Sequence, residues 1–357
     1  MTRKSFDPAR QVRLAEATSL GLGGPAEFQA RIESRDALTE ALDWAAQRSL
    51  PVTILGGGSN VVIADAGLSG LVLTLGGASE AIADAGDDVL VTIGAGALWD
   101  DFVARCVARG WSGLECLSGI PGHVGATPIQ NVGAYGQEVA DAIVSLRAHD
   151  RASGQLLELA HADCAFGYRT SRFKTADADR FIVLDVTFRL HLRGAPCRAY
   201  PEIARRLPPG ASLSDARRIV LDTRREKSML LDPSDENGRS CGSFFLNPVI
   251  EARVFDALRA GTSAAPPSYP QPDGRLKLPA AWLIESAGFH KGQRWGAVGI
   301  STRHSLALVA HPGATSRQLL EAAHRIRDGV EAQLGIRLSP EPLFLGFGSS
   351  PHDLPQL

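Results

Sequence analysis

The chain has 357 residues, 44% of them hydrophobic and 21% charged, the proportions of an ordinary soluble protein with length for two or three compact domains. A formal net charge of −2 supplies no global basic field for nucleic acid or an anionic membrane, so an acidic ligand has to be caught by local Lys and Arg side chains. The first residues carry charges but no apolar stretch of a secretory signal, and nowhere do about 18 apolar residues run together. Five widely spaced cysteines without a CxxC pair (Cys106, Cys116, Cys164, Cys197, Cys241) read as reduced thiols, so the expected location is the cytoplasm.

Residues 28–32 alternate in polarity and predict a strand. Ser34 caps a predicted helix running to about residue 48, with Leu38, Leu42 and Ala45 at helical spacing. Short apolar strands are expected at 52–55 and 61–64, on either side of Gly56-Gly57-Gly58-Ser59-Asn60, and again at 71–75 and 89–93. A helix over 98–109 is expected to turn Leu98, Phe102, Cys106 and Ala108 inward. Residues 112–136, SGLECLSGIPGHVGATPIQNVGAYG, break the pattern: glycine and proline forbid a long regular element, yet few charges are present. Beyond them, 143–148 and 181–190 read as long strands. Ser214 is expected to cap a helix reaching about Lys227, followed by a polar link. Helices are expected near 250–260, 279–287 and 315–334, with a strand over 306–310. In the 315–334 helix, Leu319, Ala323, Ile326, Val330 and Leu334 form one stripe and Gly335 ends it. The proline-rich AAPPSYPQPDG (264–274) reads as a loop able to cover something.

LGGGSN (55–60) follows a strand directly. Consecutive glycine amides there can form a nest for an anion such as a pyrophosphate, and a plain tight turn explains them equally well. No GK[ST] follows, so this is not a Walker loop, and GAGALW (94–99) lacks the third glycine of a dinucleotide fingerprint. The charge-poor 112–136 stretch adds a second glycine-rich segment, so two such segments can line opposite sides of one elongated ligand. Backbone groups, with Gln130 and Asn131, can then pair the polar edge of a flavin; the alternative is a buried structural loop.

ILGGGSNVVIAD followed by GLECLSGIPGHVGATPIQNVGAYG resembles the FAD-binding core of the UDP-N-acetylenolpyruvoylglucosamine reductase (UDP-N-acetylmuramate dehydrogenase) family. FGYRTSRFK (166–174), AYPEI (199–203), RREK (224–227), GSFFLNP (242–248), YPQPDGRLKLPAAWLIESAGFHKG (269–292) and SPEPLFLG (339–346) continue the resemblance over nearly the whole chain. Tyr200 and the proline-rich region are similar to the subclass in which a tyrosine loop closes over the substrate. The resemblance implies an α+β protein: a two-subdomain vanillyl-alcohol-oxidase/PCMH-type FAD-binding fold plus a C-terminal α+β substrate-binding domain. Its expected parts are 1–76 (joined by 343–357), 77–227 and 228–342.

The implied activity is reduction of UDP-N-acetylglucosamine enolpyruvate to UDP-N-acetylmuramate for peptidoglycan, with noncovalent FAD and with NADPH as hydride donor. Such a reaction needs a hydride source, an electrophile for the enolate that develops on the substrate carboxylate, and a proton donor. By resemblance, hydride passes from flavin N5 to the β-carbon, Arg169 and Glu341 stabilise the enolate, and Ser243 gives the proton. The implied cofactor-binding residues are Leu55, Gly56, Gly57, Gly58, Ser59, Asn60 and Val61 in the first segment. In the second they are Gly119, Ile120, Pro121, Gly122, Gly125, Ala126, Gln130, Asn131, Gly133, Ala134, Tyr135 and Gly136. Substrate positioning falls to Tyr200, Lys227, Asn247, Tyr269 and Lys277, two cations for a diphosphate and two flat rings for sugar or base. Taken without the resemblance, each of these side chains also fits a surface or turn position.

The chain departs from the family pattern at Leu246, Ala310-His311 and His123, which bears on substrate contacts more than on the reaction. The nine histidines show no ligand spacing, so no metal is expected, and neither is a nucleic-acid or membrane partner; the chain is expected to act as a monomer. Competing readings are an oxidase of the same flavin fold acting on a sugar or alcohol, and a non-catalytic nucleotide-sugar binder.

Overall fold

Residues 181–192 alternate apolar and polar side chains, and burial follows, with Val186, Phe188 and Leu190 fully enclosed. This strand, Phe181–Leu192, is the spine of an antiparallel sheet in a computed structural model that describes residues 6–262, 265–348 and 350–356. The sheet runs Leu156–Ala160, Ile143–Asp150, Phe181–Leu192, Asp88–Gly94, Glu80–Ala85, and Trp111–Ser112 pairs with the far end of the spine. A four-stranded sheet has the order Ala9–Arg13, Pro25–Ile32, Leu68–Leu75, Val52–Ile54, its last pair parallel.

The chain divides into two compact units, 1–11, 27–57 and 69–230 in the first, and 12–26, 58–68 and 231–357 in the second. The expected parts divide the chain otherwise: they count 12–26, 58–68 and 343–357 with 1–76 and set 77–227 apart from it. Val61–Ile63 lies parallel to Leu343–Leu345, so an early strand and the tail are joined within the second unit.

In the first unit, helix α1 (Arg35–Ala46) buries Leu38, Ala41 and Ala45 against Leu71, Leu73 and Ile182, and Ser34 Oγ accepts the Ala37 N–H at 3.2 Å as the sequence predicts. Helix α2 (Trp99–Ala108) buries Trp99, Phe102, Val103, Cys106 and Val107 against the large sheet. The expectation for its inward face needs correcting at both ends. Leu98 is the N-cap, extended and 55% exposed, and Ala108 is exposed, because the helix begins one residue later and Trp99 takes the core position. Helix α3 (Pro201–Arg206) was not foreseen. Helix α4 (Leu213–Glu226) is capped by Ser212, not Ser214: Ser212 Oγ accepts the Asp215 N–H at 3.1 Å and Asp215 answers to the Ser212 N–H at 3.0 Å.

In the second unit, helices α5 (Ala252–Gly261), α6 (Ala280–Ser286) and α7 (Ser316–Leu334) share one core with Phe244, Phe245 and Phe344. The stripe Leu319, Ala323, Ile326 and Val330 is buried, and Gly335 (φ +68°) ends α7 with a left-handed turn. The proline-rich loop contains the short strand Tyr269–Pro270; its first residue, Ala264, lies outside the described residues. Among the described residues no helix is long and apolar enough to cross a membrane.

Candidate functional site

The glycine run after the strand Val52–Ile54 meets the 119–126 loop through bare backbone, both within the first unit. A Cβ on Gly57 would stand 2.6 Å from Gly122 Cα, and one on Gly56 3.3 Å from Ala126 Cβ. No side chain fits between Gly57 and Gly122, which is the physical reason for glycine at Gly57, and at Gly56 a side chain would be tight. Among the described residues the amides of Gly56, Gly57, Ile120 and Gly122 donate no hydrogen bond, so they are available to the oxygens of an anionic ligand. A diphosphate-bearing cofactor fits such a cradle.

Polar side chains hold the loop from beneath. Glu115, 1% exposed, accepts from Gly113 N at 2.9 Å, Gln137 Nε2 at 3.0 Å and Cys197 N at 2.8 Å, while Gln137 Oε1 accepts from Cys116 N at 2.7 Å. Asp100 on α2 accepts the Gly119 N–H at 2.5 Å and two bonds from Arg217 at 2.6 and 2.8 Å. Burial alone raises the Asp100 carboxyl, but the Arg217 hydrogen bond and the Gly119 amide outweigh it and hold it below the usual range. Buried Arg224 on α4 donates to Gly119 O at 3.2 Å and Met229 O at 2.7 Å. Neither Glu115 nor Arg224 was singled out from sequence; the available signal was a carboxylate inside an otherwise uncharged glycine-rich stretch.

Asn131 is buried. Its side chain ties the loop to neighbouring segments, donating to Glu138 Oε2 at 2.7 Å and Gly167 O at 3.0 Å and accepting from Ala140 N at 3.1 Å. The side-chain amide thus shapes the loop. Arg169, in the left-handed region at φ +53°, comes to the same place: its guanidinium donates to Asn131 O at 3.4 Å and to Gly133 O, and lies 3.9 Å from Glu138. Tyr135, Tyr200 and Lys227 also gather in the first unit. The Tyr135 and Tyr200 rings meet edge-on with centroids 5.4 Å apart, Lys227 Nζ stands 5.7 Å over Tyr135, and Lys227 pairs with Glu202 at 2.7 Å. Burial pushes the Tyr135 hydroxyl up to about 12, so it stays a neutral donor.

The second unit assembles its residues by pairing across the sequence. Phe245 bridges Pro340, Leu246 N donates to Ser339 O at 2.9 Å, and Glu341 N donates to Phe244 O at 2.9 Å. This brings Ser243 and Glu341, far apart in sequence, onto two paired segments. Asn60 joins them, with Nδ2 3.4 Å from Glu341 O and its own carbonyl accepting from Leu343 N at 3.0 Å. Burial pushes the nearby Cys241 thiol up to about 12, and the charge of Glu341 adds to that. Tyr269 and Lys277 are opposite each other in a small sheet with Val249. Asn247 is beside them, but its Oδ1 accepts the Ala280 N–H at 2.8 Å and so starts α6; that oxygen is committed to the fold. Of the three expected catalytic residues, Arg169 thus belongs to the first unit and Ser243 and Glu341 to the second. Of the expected cofactor residues, Leu55 to Gly57 and the whole 119–136 group belong to the first unit, and Gly58, Ser59, Asn60 and Val61 to the second.

A hollow between α5 and α7, lined by Val254, Leu258 and Leu334 among others, contains none of these residues. Among the described residues no three His, Cys, Asp or Glu side chains gather as a metal site requires.

Residues 26–160 match the FAD binding domain family, and residues 232–345 match the C-terminal domain family of UDP-N-acetylenolpyruvoylglucosamine reductase. The UDP-N-acetylenolpyruvoylglucosamine reductase of Thermobifida fusca (strain YX) is 46% identical over 353 residues, covering 95% of this chain and 98% of that protein. That of Salinispora arenicola (strain CNS-205) is 44% identical over 95% of this chain and 96% of its own. Among solved structures, the UDP-N-acetylenolpyruvylglucosamine reductase of Thermus caldophilus aligns with a TM-score of 0.66 at 26% identity, over 95% of this chain and 100% of that one.

Proposed function

The chain belongs to the UDP-N-acetylenolpyruvoylglucosamine reductase family, and from that premise we propose how its own residues carry the reduction of UDP-N-acetylglucosamine enolpyruvate to UDP-N-acetylmuramate. It is an FAD-dependent oxidoreductase of peptidoglycan synthesis. We place it in the cytoplasm, acting as a monomer with NADPH as cosubstrate, and retain 1–76 joined by 343–357, 77–227 and 228–342 as its functional parts. FAD, when bound, relays a hydride from NADPH to the enolpyruvyl β-carbon.

The amides of Gly56, Gly57, Ile120 and Gly122 hold the cofactor's diphosphate, with the rest of 55–61 and 119–136 enclosing it. Arg169 meets the substrate carboxylate, on which negative charge grows as the β-carbon accepts hydride; a permanent planar cation stabilises that charge without moving a proton. Glu341 polarises the same carboxylate end, which requires that it carry a proton or share a cation there. Ser243 delivers the proton to the α-carbon, a role open to a serine only where its alkoxide is stabilised or a proton is relayed to it. Lys227 and Lys277 hold the substrate diphosphate, Tyr200 and Tyr269 cover its flat groups, and Asn247, whose Oδ1 is bound to the start of α6, helps to position it.

The observation that carries this reading is the side-chain-free approach of Gly57 to Gly122, in a chain 46% identical to a reductase of this name. The test is an anaerobic absorbance experiment on purified protein. Flavin absorbance should be present, bleach with NADPH, and return on adding the enolpyruvyl nucleotide sugar. Protein without flavin absorbance, or bleached flavin that the substrate leaves reduced, would refute the proposal.

A further inference from the structure

Beside Arg169 stands an acid that the reaction itself does not require. Glu138 Oε2 accepts from Asn131 Nδ2 at 2.7 Å, and Glu138 Oε1 lies 3.9 Å from the Arg169 guanidinium. Asn131 in turn offers its backbone carbonyl to Arg169 at 3.4 Å. Gly133, whose carbonyl takes the other Arg169 nitrogen, is squeezed between the two: a Cβ there would stand 2.8 Å from Glu138 Cγ and 2.9 Å from Arg169 Nη1. Asn131 and Arg169 both hold left-handed backbone, φ +48° and +53°, which costs a non-glycine residue free energy and persists only where neighbours over-determine it.

We propose that Glu138 is a positioning residue for catalysis: it fixes the Arg169 guanidinium both directly and through Asn131, setting where that cation meets the substrate carboxylate. This rests on the role given to Arg169 above. The direct ion pair is weak, because Glu138 is 37% exposed and solvent screens it. The hydrogen bond to Asn131 is the stronger path, since it fixes the carbonyl to which Arg169 is tied. Displacing a guanidinium by a fraction of an ångström removes transition-state stabilisation while leaving flavin reduction alone.

The experiment compares Glu138→Ala, Glu138→Gln and Arg169→Ala by stopped flow, following flavin reduction by NADPH and reoxidation by the enolpyruvyl substrate separately. Calorimetric binding of UDP-N-acetylmuramate gives a readout independent of turnover. Glu138→Ala should slow reoxidation about tenfold or more and weaken product binding, with NADPH reduction within about twofold of native. Glu138→Gln, which keeps an acceptor for Asn131, should recover most of the loss. If Arg169→Ala is slow while Glu138→Ala behaves as native, the positioning role is overturned and the Arg169 reading stands; if Arg169→Ala is itself native, that reading falls instead. Equal slowing of both half-reactions by Glu138→Ala would mean a general structural role and also overturns the proposal. Should Glu138→Ala fail to fold, Glu138→Asp decides by the same split between half-reactions.

Discussion

The 112–136 loop and the pairing of 243–247 with 339–341 solve different problems. The loop is one continuous segment whose working surface is backbone, kept bare by glycine and supported from beneath by Glu115, Asn131 and Asp100. The pairing joins two segments far apart in sequence and presents side chains, Ser243 and Glu341, whose value is chemical. A backbone-built surface fails when atoms are added or its supports removed, whereas a side-chain pair fails when one functional group is deleted.

Deleting the hydroxyl is the severest test of that contrast. Ser243→Ala should lower substrate-driven reoxidation by roughly 10²–10⁴-fold while NADPH reduction stays near native, as stopped-flow absorbance will report. Removing a support of the loop should act on stability instead. Glu115→Ala leaves three donors unmet, one buried and two half-buried, and should cost on the order of 2 kcal/mol in urea unfolding, with Glu115→Gln costing less. Adding one methyl to the bare surface should act on the cofactor: Gly57→Ala forces a carbon to 2.6 Å from Gly122 Cα, and FAD affinity, followed by released flavin fluorescence, should drop about tenfold or more. Equal loss of FAD from Ser243→Ala would erase the distinction between the two regions.

Protons probe both regions at once. Burial, with Arg31 beside one and Arg294 beside the other, depresses His123 in the loop and His311 in the second unit below their ordinary 6.5. Above that value both states are neutral. As pH falls the unfolded chain takes up protons first, so stability is lost from about 6.5 downward, ahead of the carboxylates. Melting temperature against pH should show this slope, and His123→Gln and His311→Gln should each flatten part of it. The smallest effect expected is at a cap: Ser212→Ala should cost about 1 kcal/mol and Ser214→Ala almost nothing, by thermal or urea unfolding.

Legibility followed how local each feature is. The Ser34 cap, the α7 stripe and the Gly335 stop depend on residues within a few positions, and all stand where the pattern puts them. Glu80–Ala85 was missed because, as an exposed edge strand, it shows no apolar alternation. Leu98 was misassigned because one residue of shift at a helix start moves a side chain from the face to the cap. For the site, the glycine-rich segments could be read as a cradle, but Asn131 and Asn247 were assigned to ligands while part or all of each side chain serves the fold. Glu138 and Glu115 escaped notice because a carboxylate's partners are invisible until distant amides are placed around it.

By itself the sequence determined the helices and strands with strong periodicity, the bare glycine segments and the family motifs, because those are written in adjacent residues and their spacing. Only the tertiary structure decided that Val61–Ile63 pairs with the tail, that Glu341 stands beside the Ser243 segment, and that Arg169 is tied to the carbonyls of Asn131 and Gly133. Those are contacts between groups tens to hundreds of residues apart, and buried N–H and C=O groups find such partners only after the whole chain has closed around them.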